Sequence, residues 1–366
     1  MTSTMTHPPR THHPTVLDDP VADEIIGGID THADTHTVAA VTSTGGQLAT
    51  TTFPTTPAGY QALLAWLVGF GTVTRIGVEG TGAYGAGLTT FLTQAGITVF
   101  EVNRPDRSTR RLNGKSDPLD AVAAARAVIA GTATTTPKRR DHHVEALRVL
   151  HLARKTAVSQ RADLIRKIKS VIITAPAPLR EQLRGLNGTK LHKACLALRP
   201  DPTTLTTGDP TTATKYTLRD FARTWRHLND QILDHDHLIT TLLKSINPAL
   251  LEVRGIGPAV AAQLLITAGD NPNRINTEAS FAMLTGAAPI PASSGKTHRH
   301  RLNRGGDRQA HSALWRIAIT RLAHDPTTRT YMHRRTTEGK SKQEIIRCLI
   351  RYIAREIHPI LTLDNT

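Results

Sequence analysis

The stretch Ile25–Asp30, which reads IIGGID, is a short apolar run that ends in a carboxylate. A run of this length between polar residues predicts a buried β-strand. Arg75–Glu79 is a second such run, and it also ends in a carboxylate. Side chains at the ends of neighbouring strands can project together from one edge of a sheet. We therefore expect Asp30 and Glu79 to belong to one site.

Strand and helix signals alternate around these two runs, over residues 23–135. Their order is β-β-β-α-β-α-β-α, which predicts an α/β domain with a mixed sheet. Gly45-Gly46 is typical of a hairpin turn between the second and third strands. Ser116 is predicted to be the N-cap of the last helix, which continues to Ile129. The other elements are predicted at Ile25–Asp30, His36–Thr44, Gln47–Phe53, Pro57–Phe70, Arg75–Glu79, Ala83–Gln94 and Ile97–Val102.

The rest of the chain is predicted to be helical. Within residues 136–245, Val144–Ile173 and Tyr216–Leu243 are expected to form an antiparallel pair of long, coiled-coil-like helices that serves oligomerisation. Residues 246–366 are expected to form an all-α domain. Its predicted helices are Pro258–Thr267, Glu278–Thr285, Asp307–Ala323 and Lys342–Ile357. Residues 1–22 are rich in Thr, His and Pro and show no periodicity, so they are predicted to be a disordered tail.

The charge of the chain points to a nucleic-acid partner. The 366 residues include 45 Lys and Arg against 30 Asp and Glu, a formal net charge of +15. Residues 1–100 hold two basic and seven acidic residues, net −5, which leaves the rest of the chain at +20. Two cysteines exclude a disulfide scaffold, and no apolar stretch reaches the ~18 residues of a membrane span. Residues 1–20 lack an apolar signal core, so we expect a cytoplasmic protein.

Asp117 and Asp120 stand at positions i and i+3 in the first turn of the last predicted helix of the α/β domain, so they share a face. Carboxylates this close repel one another, and a bound pair of Mg²⁺ ions reverses the sign of that interaction. Two such ions can stabilise the attacking and the leaving oxygen of a phosphodiester. With Asp30 and Glu79, the pair suggests a metal site of four carboxylates. Taken alone, Asp117 and Asp120 could instead stabilise the helix by interacting with the positive end of its dipole.

Two segments of the C-terminal part suggest contacts with DNA. Arg254–Pro258 reads RGIGP and leads into an apolar helix. Gly255 and Gly257 in a tight turn resemble a helix-hairpin-helix element, whose backbone N–H groups bind phosphate, although an ordinary glycine-rich connection fits as well. Further on, Ser294 precedes Gly295 in a segment that would otherwise read as a plain loop. The basic residues that follow it are Lys296, Arg299, Arg301, Arg304 and Arg308.

Three of the N-terminal segments resemble the motifs of the DEDD-type transposases of the insertion-sequence one-ten family. These segments are Gly28–Asp34 (GIDTHAD), Gly77–Gly82 (GVEGTG) and Lys115–Ala121 (KSDPLDA). The first domain of that family resembles the Holliday-junction resolvase RuvC, so the resemblance implies an RNase H-like fold that binds Mg²⁺. Ala33 is a departure, since many members carry Lys there. The family's four metal-binding acidic positions are matched by Asp30, Glu79, Asp117 and Asp120.

The C-terminal part resembles the second domain of the same family. Gly286–Pro289, then a serine before a glycine, then basic residues and the turn Asn303–Arg308 follow that domain's pattern. By this resemblance Ser294 falls on the family's catalytic serine, and Ser293 is the alternative. The resemblance extends over residues 25–355.

The resemblance implies a transposase that cuts and rejoins double-stranded donor and target DNA. Ser294 would attack a phosphodiester and form a covalent phosphoserine intermediate, assisted by Mg²⁺ at the tetrad. Family members use a structured non-coding bridge RNA to pair with DNA. They also assemble as dimers and tetramers in which the serine of one protomer meets the tetrad of another. The implied location is the bacterial cytoplasm, in association with the nucleoid.

Two other functions fit the residues. The first is a RuvC-like metal-dependent junction resolvase or nuclease, which uses water and the four carboxylates without the serine. The second is a non-catalytic nucleic-acid-binding protein derived from a transposase.

Overall fold

The computed structural model describes residues 24–102, 116–140, 142–269, 271, 275–296 and 300–362. They form two compact units, which divide between Lys138 and Arg139. The tail predicted at residues 1–22 and the basic side chain of Arg299 lie outside the described residues. None of the helices in the described ranges is both long and apolar enough to cross a membrane.

The first unit is built on a five-stranded mixed sheet. Its strands are β1 (Glu24–Thr31), β2 (Thr35–Thr42), β3 (Gln47–Pro54), β4 (Thr72–Glu79) and β5 (Thr98–Val102). They lie in the order β3-β2-β1-β4-β5, with β1 antiparallel to β2 and parallel to β4. The α/β class, the mixed sheet and the order of elements confirm the predictions from the sequence.

Helices cover both faces of this sheet. They are α1 (Pro57–Val68), α2 (Ala86–Gln94) and α3 (Asp117–Ile129). Successive residues of a strand face opposite sides. Ile25 and Ile29 of β1 therefore share the core formed with α1 and α2, whereas Ile26 shares the core formed with α3. Asp30 has the parity of Ile26, so it lies on the side of the sheet that α3 covers.

The second unit begins with two long helices that pack antiparallel. Its first five helices are α4 (His143–Thr174), α5 (Ala177–Leu183), α6 (Gly188–Ala197), α7 (Pro202–Leu205) and α8 (Pro210–Ile246). Arg154 of α4 donates to Asp236 of α8 at 2.5 Å, and Arg161, further along α4, donates at 2.6 Å to Asn229, which lies earlier in α8. This order of contacts confirms the predicted antiparallel pair. Three short helices connect it.

The remainder of the second unit is mostly helical. It contains α9 (Ala249–Glu252), α10 (Pro258–Ala268), α11 (Glu278–Leu284), β6 (Ile290–Pro291), β7 (His300–Arg301), α12 (Arg308–His324), α13 (Pro326–Thr337) and α14 (Lys342–Thr362). The prediction of an all-α domain is wrong in one respect, because β6 and β7 pair as a short antiparallel ribbon. Pro289 and Pro291 have no backbone N–H to donate, so this stretch cannot continue a helix.

Candidate active site

Two glycines let α3 lie close to the sheet edge that carries the acidic residues. A Cβ atom on Gly28 would lie 2.0 Å, and one on Gly77 would lie 2.5 Å, from a backbone carbonyl oxygen of α3. Asp30 follows Gly28 by two positions in β1, and Glu79 follows Gly77 by two positions in β4. Residues two apart share a face of the sheet, so both carboxylates lie on the α3 side.

The N-terminus of α3 lies beside the end of β1. His32 Nε2 is 3.3 Å from Asp30 Oδ2 and 3.3 Å from Asp117 Oδ1. Asp30 is buried, whereas the side chain of Asp117 is 46% exposed. One ligand atom from each of the three residues lies within 4.8 Å of the others. Carboxylate oxygens and imidazole nitrogens are ligands of divalent metal ions, so this donor set fits a metal.

Glu79 and Asp120 are both buried. The Thr31 hydroxyl donates a 2.8 Å hydrogen bond to the carbonyl oxygen of Glu79, which joins the ends of β1 and β4. Gly80 follows with φ +74, a conformation that favours glycine, and the chain turns there. Asp120 lies one turn after Asp117 on α3. The structure therefore brings Asp30 and Asp117 together directly, and it places Glu79 on the adjacent strand end and Asp120 on the next helical turn.

His32 is the member of this cluster that sequence reasoning missed. It follows Asp30 by two positions and lies in the turn between β1 and β2. The spacing Asp-x-His was a usable signal, because a residue two positions after a strand-end carboxylate can share its side. The sequence contains 18 histidines, and without a partner from a distant segment this one does not stand out.

A second histidine near this cluster has a different environment. His36 on β2 is fully buried, and its ring stacks on Tyr60 with the ring centres 5.7 Å apart. Burial is the main cause that lowers the pKa of His36, and the nearby His32 lowers it further. Neither ring nitrogen of His36 has a hydrogen-bond partner in the part of the chain that the structure describes. The neutral ring therefore packs as part of the core.

Ser294 lies in an exposed loop between β6 and β7. The residues around it, 291–296, are all exposed. Gly295 has φ +55, in the left-handed region, and a Cβ atom there would have no neighbour within 4 Å. The backbone conformation of this turn therefore favours glycine, and a lack of space for a side chain does not. The Ser294 side chain is open to a group as large as a phosphodiester, and Lys296 is exposed beside it.

The base of this loop is held by two glycine-containing segments. A Cβ atom on Gly306 would lie 2.3 Å from the backbone nitrogen of Gly286, so the two segments touch at backbone level. The Asp307 N–H donates to the carbonyl oxygen of Leu284 at 2.6 Å, and the Asn303 side-chain amide donates to a carbonyl oxygen of α11 at 3.1 Å. The motifs Gly286–Pro289 and Asn303–Arg308 thus form one support for the serine loop.

A basic cleft of about 750 Å³ lies beside the base of the serine loop. Residues 286–289 and 300–302 form one wall, and residues 340–352, which include the start of α14, form another. Of its basic residues, the sequence predicts Arg301 as a nucleic-acid contact and misses those on the α14 wall. The basic side chains that line the cleft are His300, Arg301, His311, Lys340, Arg347 and Arg351, of which Arg351 forms an ion pair with Glu278 of α11.

Glu344 also lines the cleft, but its carboxylate is hydrogen-bonded to Ser341, just before α14. It accepts hydrogen bonds from the Ser341 hydroxyl at 2.7 Å and from the Ser341 backbone N–H at 2.9 Å. The hydroxyl contact is the main cause that lowers the pKa of Glu344. This capping box is a local structural role, and the cleft keeps a positive lining.

The Arg254–Gly257 turn forms a separate surface. Gly255 has φ +86, and Gly257 precedes the first residue of α10. The turn borders a pocket of about 500 Å³ that Trp315, 45% exposed, also lines. The Arg254 guanidinium lies 2.5 Å from a carboxylate oxygen of Asp325, so part of its charge is already neutralised. Two further predicted contacts, Arg304 and Arg308, are exposed.

Two family models match the chain. One, for DEDD transposases of the IS110 type and described as a transposase, matches residues 27–174. The other, described as the transposase IS116/IS110/IS902 family, matches residues 247–333. The first range contains the four carboxylates of the predicted tetrad, and the second contains the serine loop.

The chain is also similar to two proteins of insertion elements. It is 35% identical over 116 residues to an uncharacterized 43.6 kDa protein of insertion element IS110 from Streptomyces coelicolor, an alignment that covers 31% of this chain and 28% of that protein. It is 28% identical over 127 residues to an uncharacterized 42 kDa protein of insertion element IS900 from Mycobacterium paratuberculosis, with 34% of this chain and 32% of that protein covered. The chain thus matches less than a third of the length of each relative.

Proposed function

The chain belongs to the IS110 family of transposases, and we propose that it cuts and rejoins double-stranded DNA through a covalent phosphoserine intermediate. The observation that carries the proposal is the cluster of Asp30, His32 and Asp117, whose ligand atoms lie within 4.8 Å of one another at the edge of the α/β sheet. A metal held by carboxylates is suited to phosphodiester chemistry. The exposed Ser294 is the candidate nucleophile.

The proposed metal centre belongs to an RNase H-like domain. Bound Mg²⁺ would stabilise the negative charge that develops on the transferring phosphate. The chain itself positions the ligands. The close packing of α3 against Gly28 and Gly77 keeps the carboxylates of α3 near those of the strands. Carboxylates gathered at one site repel one another, and a bound cation would offset that repulsion. The residues that would hold the ion are Asp30, Glu79, Asp117 and Asp120.

The proposed chemical step uses the Ser294 hydroxyl. Its oxygen forms a bond to phosphorus, the bond from phosphorus to a sugar oxygen breaks, the serine loses its proton and the sugar oxygen gains one. The resulting phosphoserine ester retains the energy of the phosphodiester, so rejoining needs no nucleotide hydrolysis. Lys296 and Arg301 stand on or beside the same loop, where their charges can stabilise the attacked phosphate.

The proposed partners are donor and target DNA, a structured bridge RNA and further copies of the chain. The net charge of +20 beyond residue 100 and the basic cleft support nucleic-acid binding. The helix-hairpin-helix role proposed for Gly255 and Gly257 would add phosphate contacts from backbone N–H groups. Exposed apolar side chains on the long helices support oligomerisation. They are Val149, Leu152 and Ile173 on α4 and Tyr216, Leu233 and Leu238 on α8.

The test is strand cleavage by variants of the full-length protein in Mg²⁺, with the DNA that flanks the gene supplied as substrate together with its transcript. We expect cleavage to fall about a thousandfold or more in Ser294→Ala and in Asp117→Asn, while both variants bind nucleic acid nearly as the wild type does. Ser245→Ala, at an exposed serine of α8, and Asp34→Asn, in the turn after β1, are the matched controls and should cleave normally.

The same experiment separates the three functions. Cleavage that persists in Ser294→Ala but not in Asp117→Asn would indicate a metal-dependent nuclease or resolvase. Binding without cleavage by the wild type would indicate a non-catalytic protein. Retained cleavage by Asp117→Asn would contradict the metal centre itself.

A further inference from the structure

We propose that His32 is a direct ligand of the divalent ion, and that its nitrogen gives the centre a preference for Mn²⁺ and Co²⁺ over Mg²⁺ and Ca²⁺. The inference rests on the metal centre of the proposed function and adds a residue to it. His32 Nε2 lies 3.3 Å from a carboxylate oxygen of Asp30 and 3.3 Å from one of Asp117.

The surroundings of this atom favour a metal over a simple ion pair. Nε2 is covered by protein, although the side chain as a whole is 40% exposed. Within the described part of the chain, neither carboxylate meets the geometry of a hydrogen bond to Nε2. A covered polar atom without a hydrogen bond is costly unless something else satisfies it. A cation bound beside the nitrogen and the two carboxylate groups would give Nε2 the partner that it lacks.

The backbone holds His32 in this position. Its N–H donates to the carbonyl oxygen of Thr35 at 3.0 Å, which closes the turn between β1 and β2. Its carbonyl oxygen accepts from the Thr55 hydroxyl at 3.4 Å. The paired strands on both sides of the turn restrict its movement, since Thr31 of β1 pairs with His36 of β2. The imidazole is therefore attached to a fixed part of the sheet edge.

The spacing and the chemistry agree with this assignment. Neighbouring ligands of an octahedral ion bound at about 2.1 Å lie ~3 Å apart, close to the two distances of 3.3 Å from Nε2. Mg²⁺ and Ca²⁺ favour oxygen ligands, whereas imidazole strengthens binding of first-row transition metals, in the order Mn²⁺, then Fe²⁺, then Co²⁺. A centre in which one imidazole is added to the carboxylates should therefore discriminate among divalent ions.

The experiment is pulsed electron paramagnetic resonance of Mn²⁺ bound to the full-length protein, combined with titration of each metal. We expect a nitrogen coupling to Mn²⁺ in the wild type that disappears in His32→Gln. We expect the Mn²⁺ affinity of that variant to fall about tenfold or more, with a smaller change for Mg²⁺. His143→Gln removes an exposed histidine at the start of α4 and should keep the coupling and the affinity.

His32→Asp guards against a folding defect, because it replaces the nitrogen by an oxygen. It should bind Mg²⁺ at least as well as the wild type and show no nitrogen coupling. Suppose that the wild type shows no nitrogen coupling and that Asp30→Asn no longer binds Mn²⁺. That result would overturn the role of His32, but it would support the metal centre. Mn²⁺ binding that is unchanged in Asp30→Asn would overturn both.

Discussion

At the residue scale, Gly28 and Gly27 are neighbours with opposite surroundings. A Cβ atom on Gly28 would meet backbone atoms of α3, the nearest at 2.0 Å. One on Gly27 would meet the side chains of Ile76 at 2.9 Å and Leu67 at 3.1 Å. A side chain can change its rotamer, but the backbone of a packed helix must move as a unit. The distance from α3 to the sheet, and with it the position of Asp117, therefore depends on Gly28.

Gly28→Ala should destabilise the first unit by about 1–3 kcal/mol, the usual range for overpacking, and should weaken Mn²⁺ binding because α3 carries two of the carboxylates. Gly27→Ala is the matched control and should weaken metal binding less. Urea denaturation and Mn²⁺ titration of both variants measure these effects. Equal metal affinities for the two variants would contradict the account.

The two cysteines should differ in reactivity because their thiols differ in burial. Burial raises the pKa of the Cys195 thiol to about 11, so at pH 8 it is protonated and enclosed. Cys348 is half-buried and lines the basic cleft. A thiol reagent at pH 8 should label Cys348 in the native protein and reach Cys195 only on unfolding, and bound DNA should protect Cys348. Mass spectrometry of the labelled peptides checks this, and labelling of Cys348 at the same rate with and without DNA would argue against the cleft as a binding surface.

At the element scale, the first half of α14 supplies the wall of the cleft that the sequence did not identify. The helix is amphipathic, with Ile345, Ile350 and Ile353 buried, so its basic residues read as an ordinary solvated face. These basic residues form a cleft only because the turn supported by Gly286 and Gly306 lies opposite them. The two walls come from segments that are distant in the sequence.

Substitutions of Arg347 and Arg355 form a matched pair that tests this wall. Both residues are exposed on α14, but only Arg347 lines the cleft. Arg347→Gln should weaken DNA binding and lower the salt slope of log K by about 0.9, the loss of one phosphate contact. Arg355→Gln should leave the slope unchanged. Fluorescence anisotropy at several salt concentrations measures the slopes. A slope that falls equally in both variants would indicate general charge attraction instead of a defined cleft.

The elements that could be predicted from the sequence are those whose signal is local. The order of the first unit followed from apolar runs and glycine turns, and the first of the two long helices followed from its heptad-like spacing. The helix α13 was missed because its polar sequence has no apolar stripe, although Asp325 caps it by accepting from Thr328. The β6–β7 ribbon, His32 as a partner of Asp117 and the α14 wall were missed because each depends on a contact between separate segments.

At the scale of the whole molecule, the two compact units differ in charge. The four carboxylates proposed to hold a cation belong to the unit that ends at Lys138, and most of the basic residues of the chain lie beyond it. The proposed chemistry needs both, and assembly of several copies is one way to supply them together.

The proposed oligomerisation through the long helices can be tested by light scattering. Leu152→Glu combined with Leu238→Glu places charge on exposed apolar positions, 55% and 48% exposed, of α4 and α8. We expect the mass in solution to fall to that of a single chain, with unchanged helical content by circular dichroism. Val68→Glu, at a position 54% exposed in the first unit, is the control. An unchanged mass in the double variant would show that these helices do not hold the copies together.

The most direct test of the central claim is to map the covalent bond between protein and DNA. Wild-type protein is trapped on a nicked substrate in Mg²⁺, digested, and the peptide that carries the nucleotide is sequenced by mass spectrometry. The account predicts a phosphodiester adduct on Ser294 that is absent in Ser294→Ala and in Asp117→Asn. An adduct on a tyrosine, or DNA cleavage with no adduct, would contradict it.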